Sequence, residues 1–150
     1  MVDDSVPQET SKLHGYLTVF GGICIHLFCG NLYLWGNISN YVVSHFHFEG
    51  DKQATLKLAV MVLPLSFVVQ SLANPLGAFL LKKVNPKIIL ILGSSIMLSS
   101  IWIATFMTNW WSFVIFYAIC FPFGIGLVYW PPIICGWEWF PNNKGLISGL

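Results

Sequence analysis

Polar side chains interrupt stretches of this chain that are otherwise apolar, and their spacing is regular. His26, Gly30, Tyr33, Asn37, Asn40 and Ser44 step by 4, 3, 4, 3 and 4 residues, which stacks them on one side of an α-helix. Polar groups in hydrocarbon need partners. That face must therefore look toward other helices or toward a water-filled cavity, and the spacing leaves both open. A shorter pattern joins Ser66, Gln70, Asn74 and Gly77, with Ala73 and Gly77 forming a small-residue pair. The imidazole of His26 could relay a proton or rest neutral and hydrogen-bonded. Gln70 and Asn74 could bind a solute or join helices, the latter worth roughly 0.6 kcal/mol each.

Other chemistry finds no residues to carry it. Cys24, Cys29, Cys120 and Cys135 lie in apolar stretches without CxxC spacing, so neither a zinc site nor a disulfide framework is expected. His45 and His47 are two residues apart with no second cluster to complete a metal site. No GxGxxG, Walker loop, HExxH or GxSxG occurs, and no carboxylate falls inside an expected span. No catalytic site, cofactor or metal is expected, and the chain is not read as an enzyme. Asn37-Ile38-Ser39 fits the glycosylation pattern but falls in an expected helix, so it carries no weight. Ser94, Ser95, Ser99 and Ser100 are expected to bond back to their own helix.

The elements that must position these residues follow from the solvent. Hydrophobic residues make up 56% of the 150 and charged residues 9%, against roughly 25% charged in a soluble domain. Lipid is the expected surroundings. A charge at mid-bilayer costs about 2.5–3.5 kcal/mol, so the charge clusters mark where the chain meets water. The expected fold is all-α: a helical membrane bundle with spans over 15–44, 55–81, 88–107 and 112–136. A polar tail over 1–14 precedes them, and the start of a fifth span lies at 145–150. Pro64 and Pro75 in the second span, and Pro122, Pro131 and Pro132 in the fourth, are tolerable where neighbouring helices cover the freed carbonyls. Trp110 and Trp111 suit the headgroup level. Lys12, Lys82, Lys83, Lys87 and Lys144 fall on one side of a four-span chain, which favours a cytoplasmic N-terminus. The net charge of +1 gives no reason to expect nucleic acid as a partner.

Three stretches resemble the first third of a major facilitator superfamily transporter, most closely the branch of oxalate/formate antiporters and monocarboxylate transporters. Gly30-Asn31-Leu32-Tyr33-Leu34-Trp35 is similar to that branch's G-x-x-Y-x-[W/F] helix. Gly77 through Lys87 is similar to the signature loop between the second and third helices, with Gly77, Lys82, Lys83, Pro86 and Lys87 at its marked positions. Gly124-Ile125-Gly126-Leu127-Val128-Tyr129-Trp130-Pro131, followed by Trp139-Phe140-Pro141-Asn142-Asn143-Lys144-Gly145, is similar to G-x-G-x-x-Y-x-P and W-F-P-x-x-R/K-G. Lys82 stands where the signature loop usually has Asp, and Asn85 where it has Gly.

The resemblance implies alternating access, with two halves rocking about a midplane site and this chain supplying one wall of it. The implied substrate is a small organic anion, with or without a coupled proton, and the implied partners are the bilayer and a second half of the transporter. Tyr33 and Tyr129 match family motifs as substrate contacts, while His26, Asn37, Gln70 and Asn74 join them by helical facing. A non-transporting structural subunit of a larger membrane assembly is the alternative.

Overall fold

The computed structural model describes residues 8–149, and among these all regular structure is helical. The first span joins helix α1 (Gln8–Cys29), a 3-10 segment (Gly30–Leu34) and α2 (Trp35–Phe48). Helix α3 (Leu56–Leu80) is the second span and α4 (Pro86–Ala104) the third. The fourth combines α5 (Trp110–Val114), a π segment (Ile115–Cys120) and α6 (Phe121–Trp139). A short 3-10 turn (Pro141–Asn143) then leads to α7 (Lys144–Gly149). Four helices are thus long and apolar enough to cross a membrane: Lys12–Phe48, Leu56–Leu80, Pro86–Ala104 and Trp110–Trp139.

The outer helices overrun the sequence-based bounds. Residues 8–14 of the expected tail are already helical, and residues 1–7 lie outside the described residues. The fourth span keeps Glu138 in its last turn. Lys12 and Glu138 sit at helix ends, where a side chain can reach the interface at little cost.

Each loop ends on a residue that caps the next helix. Thr55 accepts from the Leu58 N–H at 3.4 Å, Asn85 from that of Lys87 at 3.0 Å, and Asn109 from those of Trp111 and Ser112 at 2.9 and 3.3 Å. These side-chain oxygens satisfy amides that have no partner within the helix. Pro86 takes the first helical position of α4, where its missing N–H is not needed.

Helix α6 is the axis of the bundle, with α3, α4 and α1 packed around it. It is apolar on every side, as a helix buried on every side should be, and small residues let three neighbours approach. A methyl group added at Gly124 would lie 2.8 Å from the Met97 backbone nitrogen and 2.9 Å from the Gly93 carbonyl of α4. One added at Gly126 would lie 2.5 Å from the Ala73 Cβ of α3, and one at Gly77 2.9 Å from the Gly126 carbonyl. On the α1 side, Gly22 faces Pro132 and Gly15 faces Trp139 and Phe140, an antiparallel register.

A second core ties the far half of the first span to the start of the fourth. Trp35, 2% exposed, stacks near Tyr117 and Phe113 at 4.9 and 5.8 Å, and Phe46 meets Trp110 edge-on at 5.7 Å. The Trp35 indole N–H donates to the Ala59 carbonyl of α3 at 2.8 Å, so three spans meet at one side chain. Trp110 is 1% exposed beneath this cluster, so its ring is packed inside the protein and not half in water. Trp111 remains exposed. The backbone N–H of Trp110 is held from outside by Asp51 of the first loop, at 2.7 Å.

Three serines bond back to their own helices, Ser99 and Ser100 among the four expected to do so. Ser66 donates to the Val62 carbonyl at 2.8 Å, and Ser99 and Ser100 both donate to that of Ile96, at 3.2 and 2.6 Å.

Candidate functional site

The polar residues of the first span separate into two groups, and the 3-10 segment between them is the reason. An α-helix turns about 100° per residue and a 3-10 helix about 120°. Over Gly30–Leu34 the difference accumulates to about 100°. His26, before the segment, turns inward, while Tyr33 and Asn37 are exposed, Tyr33 at 66%. Asn40 and Ser44 are exposed as well.

His26 packs edge-on against Tyr129 of α6, with ring centroids 5.2 Å apart and planes at 81°. The antiparallel register set by Gly22 and Pro132 makes this pairing. The Nδ1 atom lies 2.9 Å from the Gly22 carbonyl. A carbonyl oxygen only accepts, so Nδ1 carries the proton and donates, which leaves Nε2 of the neutral ring as a bare acceptor. That atom is buried and has no hydrogen-bond partner among the described residues.

Asn74 Oδ1 on α3 is likewise buried without a partner. Tyr33 touches Phe67 of α3 with centroids 5.6 Å apart. Seven residues back from Tyr33 is His26, and seven beyond Phe67 is Asn74. In two antiparallel neighbouring spans that places both unpartnered acceptors at a similar depth. Gln70 is half-buried on α3, its carbonyl 3.0 Å from where a Gly126 side chain would begin. The structure thus pairs His26 with Tyr129 and sets Tyr33 against the second span, and Asn37 has no hydrogen-bonding partner among the described residues.

A cavity of about 20 Å³ lies beside His26, lined also by Gly22, Pro132 and Ile147, large enough for about one water molecule. A cleft of about 450 Å³ opens between α1, α4 and α6, with Lys87, Glu138, Cys135 and His14 along it. Gly22 and Pro132 border both spaces.

In the loop resembling the family signature, Lys82, Lys83 and Lys87 are exposed, and the Lys83 ammonium sits 4.7 Å from the Phe79 ring centre. Gly77 brings α3 close against the Gly126 and Leu127 backbone of α6 at that end. Among the described residues no group of three or more His, Cys, Asp or Glu side chains could hold a metal ion, and the four cysteines are free. Phe67 and Trp35, which orient Tyr33 and lock the spans, read in sequence as ordinary apolar residues.

Four membrane-length helices with polar groups turned into and across the bundle define an integral, multi-pass membrane protein. Its sequence is similar to those of membrane transporters. Across 97% of the chain it is 26% identical to the apicoplast pyruvate carrier 1 of Toxoplasma gondii, covering 33% of that protein. Across 90% it is 25% identical to an MFS-type transporter of Aspergillus fumigatus, covering 30% of it. The chain thus spans about a third of the length of these curated relatives. No family model matches the chain, and no solved structure does.

Proposed function

We propose that this chain forms the N-terminal part of a major-facilitator-type secondary active transporter, which moves a small organic anion across a membrane by alternating access. The anion is monocarboxylate- or oxalate/formate-like. The observation that carries this reading is the exposed polar face of the first span. Tyr33, Asn37, Asn40 and Ser44 stand out from a helix long enough to cross the membrane. Hydrocarbon is a costly neighbour for such groups, so the face suits a water-filled path shared with the rest of the transporter. A tyrosine hydroxyl and an amide N–H can donate to carboxylate oxygens without a fixed charge that would trap the anion. The similarity to a protein named as a pyruvate carrier supports the same substrate class.

In this reading Tyr33 and Asn37, on the exposed face of the first span, line the substrate path with Gln70 and Asn74 of the second, while His26 and Tyr129 pair between the first and fourth spans at its inner end. The loop of Lys82, Lys83 and Lys87 lies on the cytoplasmic side with the N-terminus. The full-length protein, reconstituted in liposomes, is expected to take up labelled pyruvate, oxalate or formate above empty vesicles. Uptake should accelerate when unlabelled acid is loaded inside. No uptake of any of these acids would overturn the proposal and favour a structural subunit.

A further inference from the structure

We infer that the cleft between the first, third and fourth spans is a binding site for a zwitterionic phospholipid, with the lipid phosphate at Lys87 and its ammonium group at Glu138. The inference goes beyond the transport reading and does not depend on it. It rests on a space that none of Tyr33, Asn37, Gln70 or Asn74 lines.

The cleft has about 450 Å³, within the usual range of small-ligand sites, and its two ends differ. At the mouth, Lys87 stands in the first turn of α4 and Glu138 in the last turn of α6, both exposed. These helix ends lie on one side of the four-span bundle, at the level where a spanning chain meets headgroups. Further in, the walls are Leu17 and Ile25 of α1, Leu90 of α4 and Pro132 of α6. From His14 to Ile25 the α1 wall runs about 16 Å. A charged mouth on an apolar groove fits an amphiphile better than a free ion.

The two charges select the headgroup. Lys87 and Glu138 face one cleft with no ion pair between them among the described residues. An anionic lipid would satisfy Lys87 and be repelled by Glu138, whereas a zwitterion satisfies both. A phosphate oxygen accepts from the Lys87 ammonium in a charge-assisted hydrogen bond. Glu138 attracts the lipid's cation, and the Trp139 indole on the same cleft, 43% exposed, is a second partner for it. The Thr18 hydroxyl at the mouth is already committed, donating to the His14 carbonyl at 2.9 Å.

The helix that follows the fourth span packs elsewhere. Ile147 of α7 meets α1 beside Val19 and Ile23, about 100° or more around the helix from Thr18 and Ile25, which line the cleft. The contact of Gly22 with Pro132 separates the two sides. Helix α7 therefore leaves the cleft uncovered.

Cys135, half-buried and free, lines the cleft and reports on it. In delipidated full-length protein in detergent, it should react with a small maleimide, read on its own peptide by mass spectrometry. Saturating phosphatidylcholine should slow that reaction. Phosphatidylglycerol, which lacks the cation, and free phosphocholine, which lacks the chains, should leave it fast. Lys87→Gln and Glu138→Gln should each raise the phosphatidylcholine needed for half protection about threefold to fivefold. Lys144→Gln, the same loss of charge on α7, should leave it unchanged.

No protection by phosphatidylcholine overturns the inference, and so does equal protection by phosphatidylglycerol or by phosphocholine alone. A Cys135 that stays unreactive after delipidation means that another part of the chain fills the cleft, which overturns it as well. Should a variant fail to reach the membrane, the wild-type lipid series decides by itself. Absence of pyruvate uptake is the separate failure of the transport reading and leaves this site standing.

Discussion

The Asp51 carboxylate accepts the backbone N–H of Trp110 across 59 residues of sequence, at 2.7 Å, while its other oxygen accepts that of Gln53 at 2.9 Å. It fastens the loop after the first span to the first turn of the fourth. These two amide bonds, that of Trp110 foremost and with His47 adding a smaller pull, hold the Asp51 carboxyl below its usual pKa. A depressed carboxyl stabilises the fold above its unfolded pKa, about 3.9, and loses that contribution as pH falls through the lower folded value. Asp51→Asn is therefore expected to lower the thermal midpoint in detergent at neutral pH, with the gap from wild type closing in acid. An equal gap at all pH values would show that the carboxylate charge is not involved.

The close approach of α4 to α6 predicts a sharp contrast between glycines. Gly124→Ala pushes a methyl group against backbone atoms on α4, and overpacking of this kind costs about 1–3 kcal/mol. Gly36, in α2, has nothing within 4 Å of where its side chain would begin. Gly36→Ala should be neutral or stabilise by up to about 1 kcal/mol, since alanine is the better helix former. Denaturant unfolding of both variants in the same detergent measures the difference.

Trp35 fills space among three spans and donates a buried hydrogen bond to Ala59. Trp35→Phe keeps an aromatic ring but removes the donor and some volume, for an expected loss of about 1–3 kcal/mol. Trp35→Ala is expected to lose about 3–5 kcal/mol. Equal losses for the two variants would mean that ring packing with Phe113 and Tyr117 contributes little.

Cysteine labelling separates the water-facing side of the first span from its lipid-facing side. In a background lacking the four native cysteines, Asn37→Cys should react with a membrane-impermeant maleimide, and pyruvate should slow the reaction. Position 27, a leucine, is also exposed in the structure but apolar in its setting, and Leu27→Cys should stay unlabelled. Labelling of Leu27→Cys at the rate of Asn37→Cys would place water where lipid is expected.

Hydropathy and charge spacing made the four spanning helices legible in the sequence, because a bilayer forbids charge over a fixed length. The polar stripe of the first span was legible only in part. Its 4, 3, 4, 3, 4 spacing assumes a uniform α-helix, and the 3-10 segment at Gly30–Leu34 breaks that assumption between His26 and Tyr33. Trp110 misled for a different reason. Its place next to the short Thr108-Asn109 connection suggests a half-wet ring, but Phe46 of α2 covers it, beside Phe113 one turn on in its own helix, and nothing near Trp110 in the sequence encodes the Phe46 contact. In the sequence Asp51 is one charge in a polar loop. The role of Asp51 depends on a partner at the start of the fourth span, three spans after the first.

The π segment at Ile115–Cys120 has a consequence for everything that follows it in the fourth span. A wide turn of this kind accommodates one surplus residue, and each residue in an α-helix is worth about 100° of rotation. Tyr129 is therefore aimed at His26 by a count of residues upstream as much as by its own identity. Closing the same six residues into regular α geometry, with none removed, would swing Tyr129 and Gly126 together off their partners by about 100° while leaving every side chain of the wall chemically intact.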